Sequence, residues 1–417
     1  MKETRTQIDV NGRPYRWPVA PTVVVCIDGS APAYIEEAVQ AGVAPYLQRI
    51  TTQGCDLRAD CVVPSFTNPN NLSIVTGRPP SVHGISGNYF LDPETGDEVM
   101  MNDPKFLRAP TIFQAFHNAG ARVAIVTAKD KLRRLLSHGL AFGDGDAMCF
   151  SAETADRATV RENGIGGVVE MVGMDPPDIY SAGLSEFVFA AGVKLMERDR
   201  PDIMYLSTTD YIQHKHAPGT AEANDFYAMM DRYLARLDAL GAVIALTADH
   251  GMNAKHDQAT GAPNIIYLQD EVDRLLSPGA ARVILPITDP YVVHHGALGS
   301  YATLYLPDDA DIEKLRMQLA DIDGIDAVYA NREGCARFEL APDRMGDLIL
   351  VSSKHVVIGT TAARHDLSGL DVPLRSHGGV TEQKVPLILS RRVTRLDPSQ
   401  TLRNYDIFNL ALNHVAL

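Results

Sequence analysis

Residues 22–29 read TVVVCIDG. Five apolar residues stand in a row from Val23 to Ile27, with no polar alternation, and the run stops at Asp28. A short, continuous, β-branched run of this kind marks a strand covered on both faces. Such strands belong to parallel sheets flanked by helices. The same design recurs along the chain. Arg122–Thr127 (RVAIVT) leads to Lys129, Asp202–Thr208 (DIMYLST) reaches Asp210, and Ala242–Thr247 (AVIALT) stops at Asp249 and His250. Val385–Leu389 (VPLIL) reads the same way. Between the runs lie amphipathic patterns. Leu184, Val188, Ala191 and Leu195 share one helical face, as do Phe226, Met230, Leu234 and Leu237. Residues 111–119 (TIFQAFHNA) stop at Gly120, a helix C-cap directly before a strand. The expectation is an α/β fold, a mostly parallel central sheet with helices on both faces.

After about residue 261 the pattern changes. Short strands and one or two helices follow, in Tyr301–Leu306, Ile312–Ala320, Ala327–Leu340 and Leu348–Val351. The chain therefore divides into a catalytic core, 1–261 with 367–417, and a smaller inserted α+β cap, 262–366.

The 417 residues carry 38 Lys and Arg against 52 Asp and Glu, a formal charge of −14. Nucleic acids and anionic membranes call for basic surface, so both are excluded as partners; a homodimer stays open. Five scattered cysteines make neither a disulfide framework nor a CxxC metal site. Together with the absence of a secretory signal pattern and of long apolar runs, this predicts a cytoplasmic protein.

Ligands of an open parallel sheet bind at the carboxyl ends of its strands. That rule places Asp28, Lys129, Asp210, Asp249 and His250 along one edge. Three crowded carboxylates repel one another unless cations neutralise them. Asp210 and His214 are i and i+4 and face one point if a helix starts there. Asp249 and His250 are adjacent and can reach a second point. His/Asp sets without Cys suit zinc, and two ions around one anionic oxygen suit phosphoryl transfer. Residues 64–78, PSFTNPNNLSIVTGR, look like a helix start at Thr67-Asn68-Pro69, ending at Gly77. A Thr hydroxyl at a helix N-terminus is a candidate nucleophile that metal coordination would activate.

The motifs VVVCIDG, PSFTNPNNLSIVTGRPPSVHGISGN, TTDYIQHKH, TADHGM and SHGG occur in that order. Together they resemble the alkaline phosphatase superfamily, in its nucleotide pyrophosphatase/phosphodiesterase-like branch. The resemblance implies two zinc ions, one on Asp210, His214 and His377, the other on Asp28, Asp249 and His250 with Thr67 beside it. His377 and Asn88 are named by the resemblance alone, Asn88 as an amide holding a phosphoryl oxygen. Within the branch, the chain looks like enzymes that cleave a carbon–phosphorus bond. A di-zinc hydrolase is implied, taking phosphonoacetate to acetate and phosphate through a phosphothreonine at Thr67. The enolate leaving group would be stabilised by Lys129, with Lys131 and His294 (or His295) as further substrate contacts. The alternative is a nucleotide phosphodiesterase or pyrophosphatase, with Phe66, Tyr89 and Tyr211 offering a slot for a base. Two zinc ions against Asp28, Asp210 and Asp249 leave about +1, so an acidic chain can hold a cationic pocket for a small phosphonate.

Overall fold

The computed structural model describes residues 7–143, 145–287, 297–397 and 399–416. Its centre is a seven-stranded sheet ordered Cys55–Asp60, Lys384–Leu389, Val243–Thr247, Thr22–Cys26, Ile203–Ser207, Val123–Thr127, Ala147–Ser151. The last five are mutually parallel. Val385–Leu389 corrects the sequence expectation. It lies in this sheet but runs antiparallel to Val243–Thr247 and to Cys55–Asp60. Apolar continuity reports burial on both faces, not direction, so sequence alone did not distinguish the two.

The pleat sends alternate residues to opposite faces. Val23 and Val25 join Val126, Leu206 and Leu246 in one core, covered by the helices Pro32–Gln40, Pro45–Gln53, Gly183–Arg198 and Ala221–Ala239. Val24 and Cys26 join Ile125, Tyr205 and Ala245 in the other, under Thr67–Thr76, Ile112–Asn118 and Asp130–Leu136. Both strand faces are dry, which is why the runs lack polar alternation.

The later part of the chain builds a separate four-stranded antiparallel sheet, ordered Arg282–Ile284, Tyr301–Tyr305, Leu348–Ser352, Ile325–Ala330. It has its own apolar cluster, into which Val63 and Phe66 from the first lobe also pack. Among the described residues no helix is long and apolar enough to cross a membrane.

Candidate active site

The parallel strands deliver their polar residues to one edge because the ladder runs one residue past each strand. Ile27 N–H donates to Thr247 O, Thr208 N–H to Cys26 O, and Ala128 N–H to Ser207 O. Asp28, Asp210, Asp249 and Lys129 follow these positions directly. Gly29 then turns the chain with φ +71°, and a Cβ there would stand 3.0 Å from that of Asp210. Only glycine combines that backbone with that approach.

Two groups of potential metal ligands form. Asp28, Asp249 and His250 make one, Asp210, His214 and His377 the other, each with its donor atoms within 4.8 Å of one another. His214 Nε2 lies 2.9 Å from Asp210 Oδ2, and His250 Nε2 lies 3.2 Å from Asp28 Oδ1. The i, i+4 spacing works because the short helix Tyr211–Lys215 starts immediately after Asp210. In all three histidines Nδ1 donates to a backbone carbonyl: His214 to Arg375 O, His250 to Gly251 O, His377 to Ser65 O. Each Nε2 is thereby left as a lone-pair donor facing its group, the usual arrangement of a metal-bound imidazole.

The donor set fits divalent cations. Asp28 Oδ1 and His250 Nε2 are buried and make no hydrogen bond. Burial pushes the Asp28 carboxyl well up, and Asp210 and Asp249 add to it. Burial, with Asp210, raises Asp249 too. Burial pulls His250 down, yet Asp249 and Asp28 lift it to about 10. His377 stacks on His250 at 3.6 Å and is held well below its ordinary value by burial and by His250 and His214. Burial raises Asp210, but His214, Lys129 and His377 together take it far below the usual range. Such opposed demands in one dry volume are what cations relieve. Two carboxylates with one imidazole in one group, one carboxylate with two imidazoles in the other, and no thiolate in either suit zinc among the borderline metals.

The helix Thr67–Thr76 points its N-terminus at these groups, with Phe66 as its N-cap and Thr67 its first residue. Gly77 ends it in the left-handed conformation. Thr67 is therefore not a plain N-cap. It lines a cleft open to solvent, together with Asp28, Asn88, Lys129, Lys131, Asp210 and His377. Asn88 Oδ1 accepts from Asn68 N–H at 2.9 Å. Only the amide nitrogen of Asn88 remains to face the cleft. Lys131 is half-buried; burial, with the neighbouring Lys129 ammonium, pulls it down to about 7. Leu132 and Ile287 supply apolar wall. His294 and His295 lie outside the described residues.

A family model described as type I phosphodiesterase / nucleotide pyrophosphatase matches residues 22–379. The chain belongs to this family. Phosphodiesterase-family relatives include mouse ectonucleotide pyrophosphatase/phosphodiesterase family member 1, 25% identical over 272 residues, or 60% of this chain. The first curated matches cover only 13% and 26% of those proteins' own lengths. Among solved structures, phosphonoacetate hydrolase from Sinorhizobium meliloti 1021, in complex with phosphonoacetate, is 60% identical with a TM-score of 0.95. It covers 98% of this chain and 99% of that one. A second structure of that protein contains phosphonoformate. Alkaline phosphatase PafA, 15% identical with a TM-score of 0.68 over 95% of this chain and 96% of that one, shares the fold. The chain thus has an alkaline-phosphatase-like fold.

Several residues around the site carried no sequence signal. Asn71 Nδ2 donates to Asp249 Oδ2 and to Thr67 O, while its Oδ1 accepts from Tyr205 and Ser207. Thr208 Oγ1 accepts from Asp28 N–H. The one available hint was a helix start with three Asn in its first five residues. All three are buried, so each must be satisfied inside the protein.

Proposed function

We propose that the protein hydrolyses the carbon–phosphorus bond of phosphonoacetate to acetate and phosphate, through a phosphothreonine at Thr67, with two zinc ions on the two Asp/His groups. The observation that carries this reading is one cleft lined by Thr67, Asn88, Lys129 and Lys131 between those groups. The 60% identity to a phosphonoacetate hydrolase supports it. Bound ions would neutralise the three carboxylates, supply Lewis acidity and lower the pKa of an otherwise inert hydroxyl.

The chain's own residues do the rest. Thr67 Oγ1 attacks phosphorus; the new O–P bond forms as the C–P bond breaks. The departing electron pair moves onto the acetate α-carbon and spreads into its carboxylate as an enolate. Lys129 aims its ammonium group at that carboxylate and holds the developing charge, with Lys131 as a further substrate contact. Asn88 Nδ2–H donates to a phosphoryl oxygen. A water that takes the Thr67 hydroxyl proton delivers it to the α-carbon, and a second water attacks the phosphothreonine, one of its protons returning to Thr67 Oγ1 as phosphate leaves. Residues 262–366 act as a cap, contributing Ile287 to the wall. Five free cysteines suit a reducing compartment, the cytoplasm in this reading.

A nucleotide substrate would need an aromatic slot. Phe66 is fully buried against Tyr301 and His377, and neither Tyr89 nor Tyr211 is among the cleft residues. The test compares phosphate release from phosphonoacetate with nitrophenolate release from bis(4-nitrophenyl) phosphate, with zinc present. Turnover of phosphonoacetate should dominate. Preference for the diester would overturn the reading.

A further inference from the structure

His377 has little regular structure to hold it. It follows a two-residue strand, Arg375–Ser376, and precedes a single 3-10 turn, Val380–Glu382. Asp249 and His250, by contrast, follow a five-residue strand in the middle of the sheet. Directly behind the His377 loop lies an ion pair, Lys255 with Glu382, at 2.8 Å with both side chains fully buried. Nothing in the proposed chemistry uses it. Two opposite charges in the interior are costly, and replacing them by apolar groups is often neutral or stabilising. Stability alone does not explain the pair.

Its bonds point to a role. Lys255 Nζ donates all three protons, to Glu382 Oε1, to Ser300 Oγ at 2.6 Å and to Lys354 O at 2.8 Å. Glu382 Oε1 also accepts from Asn253 Nδ2 and Thr381 Oγ1, and Oε2 from Gly379 N–H at 3.0 Å. Ser300 N–H in turn donates to His377 O at 2.9 Å. The pair therefore joins four pieces of chain: the stretch just after His250, the loop bearing His377, and the Ser300 and Lys354 segments beside the second sheet. Gly378 sits at φ +120° with Phe66 2.5 Å from where a Cβ would be, so the loop has one tightly packed path. The opposite side of that path is fixed through Ser65, which bonds His377, Gly378 and Gly379.

We propose that the buried Lys255–Glu382 pair is a positioning device that holds the His377 loop at metal-binding geometry and ties it to the second lobe. The pair touches no substrate and acts through His377. The inference rests on the metal-ligand reading of His377 above. Its consequence is selective: the Asp210, His214 and His377 group depends on the pair, whereas Asp28, Asp249 and His250 are placed by central strands.

The test is zinc stoichiometry and competition-measured zinc affinity of wild type and of the double variant Lys255→Met/Glu382→Met. Removing both charges avoids the stranded ion that either single change would leave, so the variant should fold. Circular dichroism and urea unfolding confirm this, and Lys255→Met/Glu382→Gln serves as the second variant. The expected result is wild type with two ions and a variant in which one of the two sites loses at least about tenfold in affinity, the scale of lost support around a metal ligand, while the other is unchanged. Two ions at wild-type affinity in either folded variant would overturn the inference and leave the function standing. A wild type that fails to bind two ions would instead overturn the metal reading beneath it.

Discussion

Replacing Asn88 by Asp should damage turnover more than replacing it by Ala. The reason is the direction of its amide. Asn68 N–H donates to Asn88 Oδ1 at 2.9 Å, which leaves Nδ2 as the group facing the cleft. Asn88→Ala removes one donor to a phosphoryl oxygen that gains charge in the transition state. Losing such a donor costs about 10²–10³ in kcat, or roughly 2.7–4 kcal/mol. Asn88→Asp keeps the size and the acceptor for Asn68 but puts an anionic oxygen where Nδ2 stood. Two unit charges 4 Å apart at an effective dielectric of 20 repel by about 4 kcal/mol. Even a third of that, roughly 1.4 kcal/mol after screening by nearby cations, is a further tenfold. The assay is phosphate release from phosphonoacetate, with kcat and KM resolved and zinc content matched. Because the interaction strengthens in the transition state, kcat and kcat/KM should fall together. Activity of Asn88→Asp equal to or above that of Asn88→Ala would refute the amide assignment.

Asn71→Leu should strand the Tyr205 hydroxyl and one Asp249 oxygen, costing about 2–6 kcal/mol of stability by urea unfolding, since each buried orphan costs roughly 1–3 kcal/mol. It should also weaken zinc at the Asp28, Asp249 and His250 group by about 10–100-fold; unchanged affinity would contradict that role. His83 is fully buried, its Nδ1 accepting from Ile85 N–H and its Nε2–H donating to Ser73 Oγ, and burial holds it down to about 3. The unfolded chain takes that proton near 6.5. Between the two values the unfolded state binds more protons, so stability falls as pH falls; at pH 5 the loss is about 2 kcal/mol. Urea midpoints at pH 7 and pH 5 should show that slope in wild type and lose it in His83→Gln. Chelation should lower Tm, because each ion held at 100 times its Kd contributes about 2.7 kcal/mol; an unchanged scanning-calorimetry midpoint would argue against resident cations.

The central strands and the polar residues at their ends were legible because each buried run stops on a charged group. Two sheet strands were not. Cys55–Asp60, at an edge, has only Ala59 fully buried among half-buried and exposed residues, and Ala147–Ser151 has no β-branched residue. Asp28, Asp210, His214, Asp249 and His250 could be grouped from strand ends and one i, i+4 pair. His377 could not, since it follows a two-residue strand more than 120 positions after His250, and only the family resemblance named it. Asn71, Ser65 and the Lys255–Glu382 pair act through contacts spanning 127–312 positions, which no local pattern encodes.

The most direct measurement is turnover of phosphonoacetate by Thr67→Ala, with zinc content determined on the same sample. Two ions should still be bound and phosphate release should fall by at least about 10³, as expected when a nucleophile is removed. Near-wild-type turnover in that zinc-loaded variant would contradict the assignment of Thr67 as nucleophile.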